Sequence, residues 1–236
     1  MAPTYHCRPA LSTAMTRHLH RDLEALEQEL LAMAARVDEM LALAARALAE
    51  RRGDLAATAM QADVDVDQQE VHIEEECLKI LALHQPVAID LRRVTAVLKI
   101  NNDLERIADL AVNVAERAAR LATHPDFTTP AAIGRMVGLA TSMVRDAIDA
   151  FVRLDVRRAR NIIARDAEVD AMYHHLLDEL YAVMIKDAKL IKAALHCHAI
   201  GRGVERIADH ATNIAEDVVY LVEGEIARHK YSPNPK

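Results

Sequence analysis

Two acidic segments of the chain combine residue types and spacings that could bind a ligand. Residues 105–109 read Glu-Arg-Ile-Ala-Asp, and the same five residues recur 100 positions later at 205–209. Asn113 and Glu116 recur with the same offset as Asn213 and Glu216. A spaced pattern of this length rarely repeats by chance, so the repeat predicts two related halves that each carry the same acidic helix.

Each acidic segment places two carboxylates four residues apart. On a helix, such residues lie on one face at a distance of about 6 Å. A second pair with the same spacing occurs in each half, in the segments that precede the repeated motif. The four predicted pairs are Asp63 with Asp67, Glu105 with Asp109, Asp166 with Asp170, and Glu205 with Asp209.

The pairs within each half can lie level with one another. In an antiparallel helical hairpin, residues at one level have position numbers with a constant sum. In the first half, the sum is 172 for Asp63 with Asp109 and for Asp67 with Glu105. In the second half, it is 375 for Asp166 with Asp209 and for Asp170 with Glu205. Half of each sum gives the position of the turn, which lies at Pro86 in the first half and beside Asp187 in the second. Proline and aspartate suit helix starts and turns, so the register predicts one cluster of four carboxylates in each half.

Four level carboxylates repel one another and raise each other's pKa unless a positive charge lies between them. Oxygen ligands suit hard cations such as Mg²⁺, Mn²⁺, Ca²⁺ or iron. Arg106 and Arg206 are the internal counter-charges that the sequence offers instead. A purely solvated acidic face fits the same residues, and the spacing alone leaves both interpretations open.

The elements that must position these carboxylates are long helices. Apolar residues make up 52% of the 236 residues, aromatic residues only 3%, and there are 6 glycines and 7 prolines. This composition, with apolar residues at helical spacing, predicts an all-α fold of two tandem antiparallel three-helix bundles. The expected organisation is a flexible leader over 1–12, bundles over 13–125 and 126–226, and a tail over 227–236.

Several residues are expected to delimit or pack these helices. Gly53 and Gly224 are predicted to end helices, and Asp54, Asp155 and Asp187 to cap the helices that follow them. Two glycine pairs, Gly134 with Gly138 and Gly201 with Gly203, predict close approaches between helices. In the segment 196–198, the i, i+2 spacing of the two histidines points them to different sides of a helix, which disfavours metal chelation there.

Composition also excludes several classes of protein. A formal net charge of −7 argues against nucleic acid as a partner. Three widely spaced cysteines do not form a disulfide framework and fit a reducing compartment. No apolar run approaches the length of about 18 residues that a membrane span needs. We therefore expect a cytoplasmic protein that does not itself span a membrane.

The repeated acidic motif and the segment 85–92, Gln-Pro-Val-Ala-Ile-Asp-Leu-Arg, resemble the two signatures of the PhoU family of phosphate-uptake regulators. The resemblance covers about residues 14–226. It implies two three-helix bundles and multinuclear sites for divalent or trivalent metal ions such as Mg, Mn, Fe or Zn. The implied ligands are Asp63, Asp67, Glu105, Asp109, Asp166, Asp170, Glu205 and Asp209.

The resemblance also implies a function without catalysis. A PhoU-type protein would regulate phosphate-specific transport and restrain the phosphate-starvation two-component response. Its implied partners are the ATPase of the phosphate ABC transporter, a membrane sensor histidine kinase and a second copy of the chain. The alternatives are a metal-dependent hydrolase, for which the sequence offers no base or nucleophile near the acidic pairs, and a metal-free helical adaptor.

Overall fold

The computed structural model describes the backbone of residues 9–224 and the side chains of residues 17–224. The described chain contains six long helices and no strand, which confirms the predicted all-α fold. Residues 1–8 of the expected leader and the whole expected tail lie outside the described residues, and the first helix begins four residues earlier than expected. The helices are α1 (Pro9–Ala49), α2 (Asp54–His84), α3 (Ala88–Ala122), α4 (Ala131–Arg153), α5 (Val156–Lys186) and α6 (Ile191–Glu223).

The connection between α1 and α2 differs from the expected one. Arg51, with φ 53°, adopts the left-handed conformation, and its guanidinium donates to carbonyl oxygens in the segment 124–127. Gly53 has φ −69° and is the N-cap residue of α2, so the prediction that it ends α1 is wrong. The prediction that Asp54 caps α2 is also wrong, because Asp54 is the first helical residue. The long-range contacts of Arg51 stabilise a conformation that usually favours glycine.

The other helix ends follow the sequence more closely. The Asp155 side chain accepts a hydrogen bond of 3.0 Å from the Arg158 N–H, which confirms it as the N-cap of α5. Asp187 accepts from the Lys189 N–H and caps a short 3-10 turn that leads into α6. Gly224, with φ 74°, ends α6 in the left-handed conformation that glycine adopts without a steric penalty.

Helices α1–α3 form one bundle and α4–α6 form the other, and α3 packs extensively against α6 to join the two. Gly201 and Gly203 allow close packing of α6, as predicted. An added Cβ would lie 2.5 Å from Leu176 Cδ2 at Gly201 and 2.9 Å from Val114 Cγ2 at Gly203. The corresponding prediction for α4 is wrong, because a Cβ at position 134 or 138 would meet nothing within 4 Å.

Polar contacts across the α3–α6 interface are concentrated at one end. Lys99 forms an ion pair with Asp217, which is 3% exposed and therefore buried. Asp103 accepts hydrogen bonds from His210, at 2.8 Å, and from Asn213, at 3.2 Å. These contacts fix the antiparallel register of the two central helices and hence the relative position of the two bundles.

Candidate metal centre

The repeated motifs lie on α3 and α6, and the upstream acidic pairs lie on α2 and α5. The apolar residues of both motifs face the core as predicted, which leaves the acidic residues on a different face of each helix. The buried residues are Leu104, Ile107, Ala108, Ala111 and Val114 on α3, and Val204, Ile207, Ala208, Ala211 and Ile214 on α6.

In the first half, the four predicted residues form a cluster that we name the α2–α3 cluster (Asp63, Asp67, Glu105 and Asp109). Burial raises the pKa of Asp63, and repulsion from Asp67 and Asp109 raises it further. Burial also raises the pKa of Glu105, with smaller contributions from Asp109 and Asp67 and an opposing one from Arg106. The charges that interact across the two helices belong to Asp63 with Asp109 and to Asp67 with Glu105. These are the two pairs that the sequence predicted to lie at one level.

The second half contains the equivalent α5–α6 cluster (Asp166, Asp170, Glu205 and Asp209). Burial, followed by the charges of Asp209 and Asp170, raises the pKa of Asp166 to about 6. The pKa of Asp209 also rises to about 6, because the surrounding protein limits its hydration and Glu205 and Asp170 repel its charge. Burial raises the pKa of Glu205 as well, against the opposing effect of Arg202. All eight predicted residues thus fall into two electrostatically coupled clusters.

Some carboxylate oxygens in these clusters have no hydrogen-bond partner among the described residues. Asp63 Oδ1 and Glu205 Oε2 are buried without one. Glu105 Oε2 is also buried and accepts no hydrogen bond, although Arg106 Nε lies 3.1 Å away as an ion-pair partner. A buried carboxylate oxygen without a donor costs free energy, and a bound cation would remove that cost.

Arginines neutralise part of this charge. Arg106 pairs with Glu105 and, at 3.4 Å, with Asp109, as predicted. In the second half the paired arginine is Arg202, whose Nη1 lies 2.6 Å from Glu205 Oε1. Arg206, the predicted counter-charge, makes no ion pair with a described residue. The difference arises because Arg202 lies three positions before Glu205, on the same face of the helix, whereas the equivalent residue of the first half is Asn102.

Sequence reasoning missed one acidic residue. Glu70 lies three residues after Asp67 on α2, and its pKa is raised by burial and by the charges of Glu74 and Asp67. The i, i+3 spacing from Asp67 was the available signal. Tyr173, which is three residues after Asp170 on α5, occupies the equivalent position, so the two clusters differ in their acidic content.

The donor set of both clusters fits a hard cation, because every candidate ligand atom is a carboxylate oxygen. Within the described residues, no three His, Cys, Asp or Glu side chains are grouped as a ready-made metal site. Binding would therefore require the carboxylates to turn inward from their present positions. That the eight residues bind metal stays a prediction.

Other potential ligands and nucleophiles have structural contacts. His198 lies 3.0 Å from the Tyr173 hydroxyl, whereas the ring of His196 faces that of His124, in agreement with the expected divergence of the two side chains. Cys77 and Cys197 are free and buried, and burial raises the pKa of each thiol to about 12. Such thiols stay protonated near neutral pH and are poor nucleophiles.

The fold and the duplicated acidic faces define a class of helical protein built from two homologous three-helix bundles. The sequence profile of the PhoU domain matches residues 30–118 and 133–218, one match in each bundle. The chain belongs to the PhoU family. None of the described helices combines the length and apolar character needed to cross a bilayer.

Curated relatives are similar along nearly their full length. The chain is 40% identical over 210 residues to a "phosphate-specific transport system accessory protein PhoU homolog" from Deinococcus radiodurans, covering 89% of this chain and 99% of the relative. It is 37% identical over 223 residues to the protein of the same name from Pseudomonas aeruginosa, covering 94% and 92%.

Solved structures share the fold. The crystal structure of PhoU from Pseudomonas aeruginosa superposes with a TM-score of 0.83 at 38% identity, covering 87% of this chain and 99% of that one. The crystal structure of the phosphate transport system regulatory protein PhoU from Streptococcus pneumoniae gives a TM-score of 0.82 at 30% identity, covering 88% and 98%.

Proposed function

We propose that this protein is a non-catalytic accessory regulator of phosphate-specific transport. The observation that supports this most strongly is the similarity along almost the whole chain to proteins named as accessory proteins of that system. Both bundles take part in the similarity, so the comparison covers the two acidic clusters as well as the fold.

In this proposal the protein acts in the cytoplasm through protein contacts, as a homodimer. Its partners are the ATPase of the phosphate ABC transporter and a membrane sensor histidine kinase. Through them it restrains uptake and the phosphate-starvation response when phosphate is plentiful. Two bundles in one chain would allow contacts with two partners.

The proposal includes metal ions at the two acidic clusters. The residues that would hold them are Asp63, Asp67, Glu105 and Asp109 in one cluster, and Asp166, Asp170, Glu205 and Asp209 in the other. Mg, Mn, Fe and Zn are the candidate ions. Bound cations would neutralise the repelling carboxylates and change the charge of the groove, which could shape the docking surface. The unpartnered buried oxygens and the raised pKa values of Asp166 and Asp209 support this part.

Pull-down with the transporter ATPase and the sensor kinase, with phosphate and metal varied separately, tests the partners. We expect both to be retained by the wild-type protein. Loss of both interactions under every condition would refute the proposed function. Elemental analysis of the purified protein tests the metal independently, with Glu105→Gln combined with Glu205→Gln as the variant that should lose it. Phosphatase activity that the same variant lacks would favour the hydrolase instead.

A further inference from the structure

A cluster of basic side chains lies at the end of the α3–α6 interface opposite the Lys99–Asp217 ion pair. We name it the basic cluster. Two of its members lie near the end of α3, one in the loop that follows, and two in the first two turns of α6. The members are Arg117, Arg120, His124, Lys192 and His196.

His196 interacts electrostatically with each of the other four members. The ring centroids of His124 and His196 lie 6.0 Å apart. Burial lowers the pKa of His196, and the positive charges of Arg117, His124, Arg120 and Lys192 lower it further. The α3–α6 packing therefore concentrates positive charge in a protein whose net charge is negative.

The described part of the chain supplies no counter-charge to the basic cluster. Among the described side chains, none of its five members has a carboxylate oxygen within 4.0 Å of its nitrogen atoms. Glu116, the acidic residue adjacent in sequence, forms no ion pair with Arg117 or Arg120. Concentrated cations without a carboxylate attract anions from solution.

The internal repeat shows that this lack of acid is specific to one end of the interface. With the offset of 100 residues, Arg117 is the equivalent of Asp217, which neutralises Lys99 at the other end. Lys192 is likewise the equivalent of Arg92, which donates to a carbonyl oxygen of α6. At one end of the interface Asp217 neutralises Lys99 and a backbone carbonyl oxygen accepts from Arg92, whereas at the other end no described carboxylate pairs with the basic cluster.

The cluster offers both donors and an acceptor. Arg117, Arg120 and Lys192 can donate several hydrogen bonds to an oxyanion, and charge-assisted bonds of this kind are strong. His124 Nδ1 lies 3.2 Å from the Arg120 carbonyl oxygen and 3.1 Å from Thr123 Oγ1, which leaves Nε2 available. Burial and the neighbouring positive charges lower the pKa of His196, which favours its neutral form, and a neutral imidazole has one ring nitrogen that accepts a hydrogen bond. The start of α6 adds a dipole that favours an anion.

We propose that the basic cluster binds inorganic phosphate. Its oxygens would accept from Arg117, Arg120 and Lys192, and its hydroxyl group would donate to His196. Sulfate carries no proton near neutral pH and could not make the last bond, so the site should prefer phosphate. The existence of the basic cluster does not depend on the proposed function. The choice of phosphate among oxyanions does rest on that proposed function.

Isothermal titration calorimetry at pH 7.5 and constant ionic strength tests this site. A chelator present throughout prevents phosphate from binding through metal at the acidic clusters. We expect saturable phosphate binding by the wild-type protein, at least about tenfold weaker binding by Arg120→Ala combined with Lys192→Ala, and weaker binding of sulfate. Both substituted residues are exposed, so the fold should be preserved. Arg135→Ala, at an exposed arginine without an ion pair, is the matched control and should bind as wild type.

Three results would overturn the proposal: no saturable binding of phosphate, equal binding by the double variant, or equal binding of sulfate. ATP binding at the site in place of free phosphate would also overturn the assignment, because the anion would then be a nucleotide. The assay uses only the purified protein. Its failure would leave the pull-down result unaffected, so the two proposals can fail separately.

Discussion

Replacing Asp166 by asparagine should stabilise the metal-free protein at neutral pH. The substitution removes a charge that burial and two neighbouring carboxylates disfavour, and it preserves the shape of the side chain. The rise of the Asp166 pKa from 3.8 to about 6 corresponds to about 3 kcal/mol at 1.36 kcal/mol per unit. Partial hydration and the repulsion shared with Asp209 reduce the expected gain to about 1–2 kcal/mol.

The pH dependence has a definite sign. The pKa of Asp166 is higher in the folded state than in the unfolded state, so its unfavourable contribution is fully present above about pH 6. It decreases as pH falls towards 3.8, because the folded state then binds the proton more tightly. About half of the difference between wild type and variant should therefore be lost between pH 7.5 and pH 5.

Urea unfolding with a chelator, followed by circular dichroism at both pH values, measures these free energies. Asp178→Asn, at an exposed residue of the same helix, is the control and should change the free energy of unfolding by less than about 0.5 kcal/mol. Added Mn²⁺ should stabilise the wild type more than the variant. A variant no more stable than wild type at pH 7.5 without metal, or a difference that does not shrink at pH 5, would refute the reasoning.

The fold supports three further predictions, all measured as changes in the free energy of unfolding. Gly201→Ala should lower the free energy of unfolding by about 1–2 kcal/mol, because the added methyl group would meet a buried leucine. Gly138→Ala has open space around it and should raise the free energy of unfolding by about 0.5–1 kcal/mol. The opposite order would contradict the packing. Lys99→Ala should lower the free energy of unfolding by about 3 kcal/mol because it removes the lysine partner of the buried Asp217 carboxylate. Arg145→Ala breaks an exposed ion pair and should lower it by less than about 1 kcal/mol; equal losses would refute this contrast. Asp155→Ala should cost about 1 kcal/mol through loss of the α5 cap, and an unchanged stability would show that the cap contributes nothing.

The sequence alone determined the helices, the repeat and the grouping of the acidic residues. Helical periodicity depends on local spacing, and the chain has few residues that break a helix. The register of each acidic hairpin followed from the position of its turn, because short connections leave two antiparallel helices little freedom to slide. This is why Asp63 and Asp109, 46 positions apart, could be placed at one level before the structure was known.

The tertiary structure decided features that depend on distant contacts. Arg51 adopts the left-handed conformation expected of Gly53 because its guanidinium binds carbonyl oxygens more than 70 residues away. Gly134 and Gly138 show the same limit: their spacing suggested a tight helix contact, but α4 turns that face outward.

The charges at the α3–α6 interface also required the structure. The repeat gives α3 and α6 related sequences, but it does not specify that they pack against each other in antiparallel register. That packing pairs Lys99 with Asp217 and gathers the basic cluster from three separate segments. Local sequence determines which helices form, whereas long-range packing determines which of their charges form ion pairs inside the protein.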